Sequence, residues 1–173
     1  NNLGLHRINQ EVAWRLDGFV TSAEEHGIYL MLCLGDEREL ETGMHHGETL
    51  SEGRSFWHAN PYNASNGGPA GSPLEFFSNE TAKKIYKDRL RYIIARWGYS
   101  TNILAWEFWN EIDHDKWSQD WDFVKKAVAS WHEEMGRHIR EVDAYNHFIT
   151  TSFCTDNNRP PIWSKDVMDF IQG

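Results

Sequence analysis

The sequence predicts an α/β fold built on a parallel sheet, and three features carry that prediction. Apolar runs of strand length lack polar alternation, as strands covered on both faces do. Amphipathic helical stretches separate those runs in the order of βαβ units. Helix-to-strand connections are short, at Gly27, Gly98 to Asn102 and Ala144 to Asn146, whereas the first strand-to-helix connection runs from Asp36 to Phe77. Pattern alone leaves a closed barrel and an open doubly wound sheet both standing. In either, function gathers on loops at the carboxyl ends of the strands.

Each element follows from its spacing. Val12, Leu16, Phe19, Val20 and Ala23 mark one helical face between Asn9, a cap, and Gly27, a stop. Ile28 to Gly35 is the first buried strand. A second helix starts from Ser78 as cap, carries Ala82, Ile85, Tyr86, Leu90, Ile93, Ile94 and Trp97, and closes at Gly98. Ile103 to Asn110 is the second strand. A third helix runs from Trp121 to Val142, with Asp120 as cap and Trp121, Val124, Val128, Trp131, Met135, Ile139 and Val142 inward. His147 to Phe153 forms a third strand and Met168 to Gln172 a fourth, giving parallel strands at about 28–35, 103–110, 147–153 and 168–172.

Composition narrows the function. The 173 residues, 40% hydrophobic and 14% aromatic, suffice for one packed domain. A net charge of -9 with no basic patch argues against nucleic acid and anionic lipid as partners. No apolar run approaches the ~20 residues of a membrane helix. No Gly-x-Gly-x-x-Gly or Walker-type run follows a strand, and no cofactor or metal is expected. Cys33 and Cys154 read as two buried thiols.

The long segment 36–77 lacks periodicity and reads as a lid or binding wall, against the plainer alternative of a surface excursion packed on itself. His45, His46, Trp57, His58, Asn60 and Tyr62 in it suit a hydroxyl-rich ligand. The nine Trp residues serve equally as core filling or as flat platforms for sugars. For Trp57 and Trp117, in polar loops, both readings stay open.

The chemistry converges on one strand end. Ile103 to Asn110 delivers Asn110-Glu111 to the mouth of the sheet, where a carboxylic acid desolvated by Trp106, Phe108 and Trp109 would hold its proton for a leaving-group oxygen. Asn110 can hold a sugar hydroxyl beside it. Glu107, four residues earlier on the same face and roughly 13 Å away, is expected to be fixed by an Arg or a hydrogen-bond network. Asp36 and Glu37 at the first strand end, and Asp113, His114, Asp115 and Trp117 after Glu111, are candidates for substrate contact, against solvated loops as the plainer reading.

Context makes the Asn-Glu pair specific. The stretch from Phe76-Phe77-Ser78-Asn79-Glu80, through Tyr86-Lys87-Asp88-Arg89-Leu90, to Trp106-Glu107-Phe108-Trp109-Asn110-Glu111 resembles the third helix and fourth strand of clan A glycoside hydrolases, most like the family 5 cellulases and mannanases. His26 to Leu32, His147 to Ser152 and Met168 to Gln172 resemble the third, fifth and sixth strand regions. The turns Asn60-Pro61-Tyr62-Asn63 and Asn66-Gly67-Gly68-Pro69 resemble the third loop of one such subgroup.

The resemblance implies a (β/α)8 barrel, retention of anomeric configuration, Glu111 as general acid/base, an oligo- or polysaccharide substrate, and export. It also implies that residues 1–173 are one incomplete catalytic barrel domain, its central portion, with 36–77 as the third strand-to-helix loop. The nucleophilic Glu, at the end of the seventh strand, would then lie outside this chain. Retention needs two carboxyl groups about 5 Å apart, so the chain alone is expected to be inactive.

Two other readings compete. A metal-dependent hydrolase could use His45, His46, His58 and Asp36, although their spacing matches no standard zinc motif. A non-catalytic, carbohydrate-binding half-barrel or inactive fragment is the other. Unpaired strand edges would lead a half-barrel to join the rest of its own barrel or to self-associate.

Overall fold

The computed structural model describes residues 4–42, 44–45, 48–49, 56–113, 121–154 and 161–172. Helix α1 (Gln10–His26) begins where Asn9 Oδ1 accepts the N–H groups of Glu11 and Val12, at 3.0 and 3.3 Å. It ends at Gly27, whose φ of 64° is a left-handed conformation that would cost a side-chain-bearing residue roughly 1–2 kcal/mol. The chain then enters β1 (Leu30–Cys33).

The segment after β1 is a folded excursion. It holds a 3₁₀ turn at Glu37–Leu40, a hairpin of β2 (Met44–His45) and β3 (Glu48–Thr49), a short α2 (Phe56–Ala59), a second 3₁₀ turn at Ala64–Asn66, and α3 (Pro73–Ser78). Asparagines staple it. Asn63 Nδ2 donates to the Trp57 carbonyl at 3.0 Å, and Asn66 Nδ2 donates to the carbonyls of His58 and Asn60 at 2.7 and 2.9 Å. Gly68 is required there, because a Cβ would lie 2.3 Å from the Tyr62 carbonyl. The plainer reading of 36–77, an excursion packed on itself, describes its described residues.

Next come α4 (Glu80–Trp97), β4 (Ile103–Glu107), α5 (Trp121–Val142) and β5 (Phe148–Thr150). Asn79, not Ser78, caps α4: its Oδ1 accepts the N–H groups of Thr81 and Ala82 at 2.9 and 3.1 Å. Ser78 closes α3 instead, donating to the Leu74 carbonyl. On α5, Val128, Trp131, Met135 and Ile139 are buried as their spacing predicts; the side chains of Trp121 and Val124, and Asp120, lie outside the described residues.

The three strands β1, β4 and β5 form one parallel sheet with β4 in the centre. Leu32, Trp106 and Ile149 align across it on the face that meets the helices, with Trp106 and Ile149 fully buried. Met31, Ala105 and Phe148 align on the opposite face, where Met31 and Phe148 are exposed. The expectation of strands covered on both faces therefore fails for β1, whose exposure alternates along its length. Both thiols are also exposed, against the expectation of burial: Cys33 lies on that open face and Cys154 follows β5.

The fourth predicted strand is not a strand. Residues near 168–172 run alongside β5 with one bridge, Ser152 to Gln172. Asp169 explains the interruption. Its carboxylate accepts the Ile149 N–H at 2.6 Å, taking a place in the ladder that a backbone carbonyl would fill, and also binds Arg140.

An aromatic cluster ties excursion, sheet and helices together. Phe76 and Phe77 of α3 pack against Trp109, beyond β4, with ring centroids 5.8 Å apart in both pairs. Trp131 of α5 meets Phe77 at 5.5 Å and Tyr86 of α4 at 4.8 Å. Such contacts add about 0.5–1.5 kcal/mol each beyond area burial.

The open face predicts association. Tyr29, Met31, Phe148 and Ile171 are exposed together with Trp14 and Phe19 of α1, a surplus of large apolar side chains for an isolated soluble chain. The 173-residue chain alone should sediment as oligomers or aggregates, whereas a 20.2 kDa monomer that unfolds cooperatively would contradict this.

A pH dependence follows from His132. Its ring is fully buried, with Nδ1 2.7 Å from the Val128 carbonyl and Nε2 3.3 Å from Thr151 Oγ1, and burial pushes its pKa down to about 4. An unfolded histidine takes up its proton below about pH 6.5. Between these values the unfolded chain binds more protons, so stability is full above the upper one and is lost as pH falls through the window. Denaturant unfolding of the complete polypeptide should lose up to about 1.4 kcal/mol per pH unit there. An undiminished slope in a His132→Gln variant would assign the effect to other groups.

Candidate active site

The ladder of β4 continues past Glu107 in single hydrogen bonds on both sides. Phe108 N–H donates to the Thr150 carbonyl at 2.9 Å and Asn110 N–H to the Gly35 carbonyl at 2.9 Å. Ser152 N–H donates to the Trp109 carbonyl at 3.0 Å, and Glu37 N–H to the Asn110 carbonyl at 3.3 Å. Asn110 and Glu111 are thus fixed from both neighbours at the carboxyl end of the sheet, and both are half-buried.

Glu111 has a φ of 49°, a left-handed conformation unusual for a residue with a side chain. Strain of this kind costs about 1–3 kcal/mol and persists only where surrounding contacts enforce it. Its N–H donates to Ser152 Oγ at 2.9 Å, and the next N–H, of Ile112, donates to the Ser152 carbonyl at 3.3 Å. Trp106, Phe108 and Trp109 point into the core: Trp106 Nε1 donates to Asp143 Oδ2 at 3.0 Å, and Phe108 packs on Trp131 and His132.

Glu37 lies beside Asn110. It is buried, and that burial and the Asp36 charge push its pKa up, while a hydrogen bond from the Asn110 side chain opposes them. Asp36 is held down by Arg38, whose Nε and Nη2 each donate to it at 2.7 Å. Asp113 is buried and accepts the Cys154 N–H at 2.6 Å. The Cys154 thiol is raised first by desolvation and then by Glu111, Asp113 and Glu37. Three of the predicted carboxylates therefore share one mouth around Cys154.

Other predicted residues are placed differently. Trp57 is buried at 5% exposure, so its ring fills the core of the excursion. Asn60 is buried and committed at both ends: Nδ2 donates to the Glu39 carbonyl at 3.0 Å and Oδ1 accepts the Tyr62 N–H at 2.9 Å. His58 is exposed on α2. His114, Asp115 and Trp117 lie outside the described residues, as do His46 and the side chain of His45. Among the described residues, no group of three His, Cys, Asp or Glu side chains is arranged to hold a metal ion.

Glu107 is buried, and its Oε1 accepts from Gln172 Nε2 at 3.2 Å, so of the two expected supports, an arginine or hydrogen bonding, the described residues show the second. Ser152, Thr151 and His132 were not singled out by the sequence. Position was the available signal, since Thr151 and Ser152 end the strand next to the one carrying Glu111.

The family model "Cellulase (glycosyl hydrolase family 5)" matches residues 1–168. Among curated proteins, mannan endo-1,4-beta-mannosidase 3 of Oryza sativa is 29% identical over 145 residues, covering 78% of this chain and 27% of that protein. Mannan endo-1,4-beta-mannosidase F of Aspergillus clavatus is 27% identical over 137 residues, covering 79% and 26%. Mannan endo-1,4-beta-mannosidase 7 of Arabidopsis thaliana is 24% identical over 149 residues, covering 82% and 30%. The chain thus spans about a quarter to a third of the length of these relatives. The family implies a (β/α)8 barrel, and three parallel strands with α4 and α5 on one face are consistent with part of one. With a match extending over nearly all its length, the chain belongs to the cellulase family, glycosyl hydrolase family 5.

Proposed function

We propose that residues 1–173 are the central portion of the catalytic barrel of a retaining, endo-acting β-glycanase, with Glu111 as general acid/base. The observation that carries this reading is the half-buried Glu111 carboxyl next to Asn110, held at the carboxyl end of the central strand. Glu37, at the start of the excursion, and Asp113, after Glu111, line the mouth of the same site.

In the first step Glu111 donates its proton to the glycosidic oxygen as a second carboxylate attacks the anomeric carbon and the leaving sugar departs. In the second, Glu111, now a carboxylate, takes a proton from water, whose oxygen displaces the enzyme carboxylate from that carbon. Asn110 holds a sugar hydroxyl next to the bond being broken. The nucleophilic carboxylate comes from outside residues 1–173, so this chain alone does not turn over substrate.

The mannosidase relatives favour β-mannan as the substrate, with β-glucan next. Polymers of that size are met outside the cell, which puts the enzyme's place of work there.

Two measurements test the reading. The complete polypeptide should release oligosaccharides from β-mannan, with the initial product keeping its anomeric configuration by NMR; inversion would reject the retaining mechanism. Glu111→Gln should lower turnover on the polymer by about 10²- to 10⁴-fold. Unchanged turnover in that variant, or activity in the 173-residue chain alone, would remove Glu111 or the divided site from the proposal.

A further inference from the structure

Glu111 keeps its left-handed backbone because something holds its N–H, and the partner is a side chain. Ser152 Oγ accepts that N–H at 2.9 Å and lies 3.4 Å from the Trp109 carbonyl, to which its own proton is directed. The Ser152 backbone adds two more bonds to the same turn, from its N–H to the Trp109 carbonyl at 3.0 Å and from the Ile112 N–H to its carbonyl at 3.3 Å. One residue of the neighbouring strand therefore grips positions 109, 111 and 112.

Ser152 is itself buried and supported from behind. The Thr151 hydroxyl lies 3.3 Å from the Trp109 carbonyl and 3.3 Å from His132 Nε2, so its one proton can serve either acceptor. His132 is anchored in α5 through Nδ1 and the Val128 carbonyl. Ser152, Thr151 and His132 form a continuous polar path from α5 to the Glu111 amide through an otherwise apolar core.

We propose that Ser152 is a positioning residue for the acid/base carboxyl: its hydroxyl holds the strained Glu111 amide so that the side chain is aimed at the leaving-group oxygen. The inference rests on the reading of Glu111 as general acid/base. A backbone that relaxes out of the left-handed region swings the carboxyl by far more than the 1 Å that already costs about 100-fold in a positioned reaction.

The experiment separates aim from mere stability by varying the need for a proton. In the complete polypeptide, kcat/KM is measured for β-mannobiosides and β-cellobiosides carrying a phenyl or a dinitrophenyl leaving group. Phenolate departs well only when protonated, whereas dinitrophenolate leaves without help. Ser152→Ala should lower kcat/KM for the phenyl glycosides by about tenfold or more and leave the dinitrophenyl ones within about threefold. Ser152→Thr, which keeps the hydroxyl, should restore the phenyl rate. If Ser152→Ala does not fold, Ser152→Cys takes its place, keeping the volume with a weaker acceptor, and the same selective loss is expected.

Glu111→Gln is the reference. If it shows the leaving-group selectivity and the Ser152 variants depress both substrates equally, or neither, Ser152 is structural and the proposal is overturned with Glu111 intact. If Glu111→Gln shows no selectivity, the acid/base reading fails and the positioning role falls with it.

Discussion

The central strand β4 is paired on both sides, and the site is an extension of that pairing. Parallel ladders place neighbouring strand ends in fixed register, so once Cys33, Glu107 and Thr150 are aligned, the residues that follow each of them must come together. Gly35, Asn110 and Ser152 meet for this reason, although more than 70 residues separate the first two in sequence. The aromatic cluster reinforces the same point: Trp109 is clamped by Phe76 and Phe77, and Gly35 leaves room for its ring, since a Cβ there would lie 2.8 Å from Trp109 Cε3. The backbone at Asn110–Glu111 is thereby held between a ladder and a packed wall.

Periodicity made the helices legible. α1 and α5 run to the residues that spacing predicts, because one buried face and, for α1, a cap and a glycine each leave a local mark. Strand limits were less legible, since an apolar run says where a chain is buried and not where its ladder ends. At 168–172 the run was apolar, but Asp169 took the ladder contact with its side chain. The open face of the sheet was unreadable for a related reason: Met31 and Phe148 are apolar and exposed, and composition cannot show that their covering elements are not packed there.

In the site, the strand-end residues Asn110, Glu111 and Glu37 were legible from position, and the loop residues were not. Asn60 and Trp57 carry the groups that recognise sugars, yet the same groups close a long excursion on itself, and here they do that. Chemistry alone does not separate the two uses; only the count of committed donors and acceptors does. Ser152 was hidden for the opposite reason. A serine is common, and its role exists only through register across two strands and the φ of a residue 41 positions away.

Two neighbouring carboxylates at the mouth, Asp36 and Glu37, are pushed in opposite directions by their immediate surroundings. The two-pronged Arg38 contact holds the Asp36 carboxyl below its usual range, while burial first and the Asp36 charge second push Glu37 up. The Asn110 side chain beside Glu37 acts in the opposite direction, since a hydrogen bond from it favours the charged carboxylate. Arg38, exposed and outside the bond-breaking chemistry, thus acts on the mouth through Asp36, whose charge adds to burial in raising Glu37.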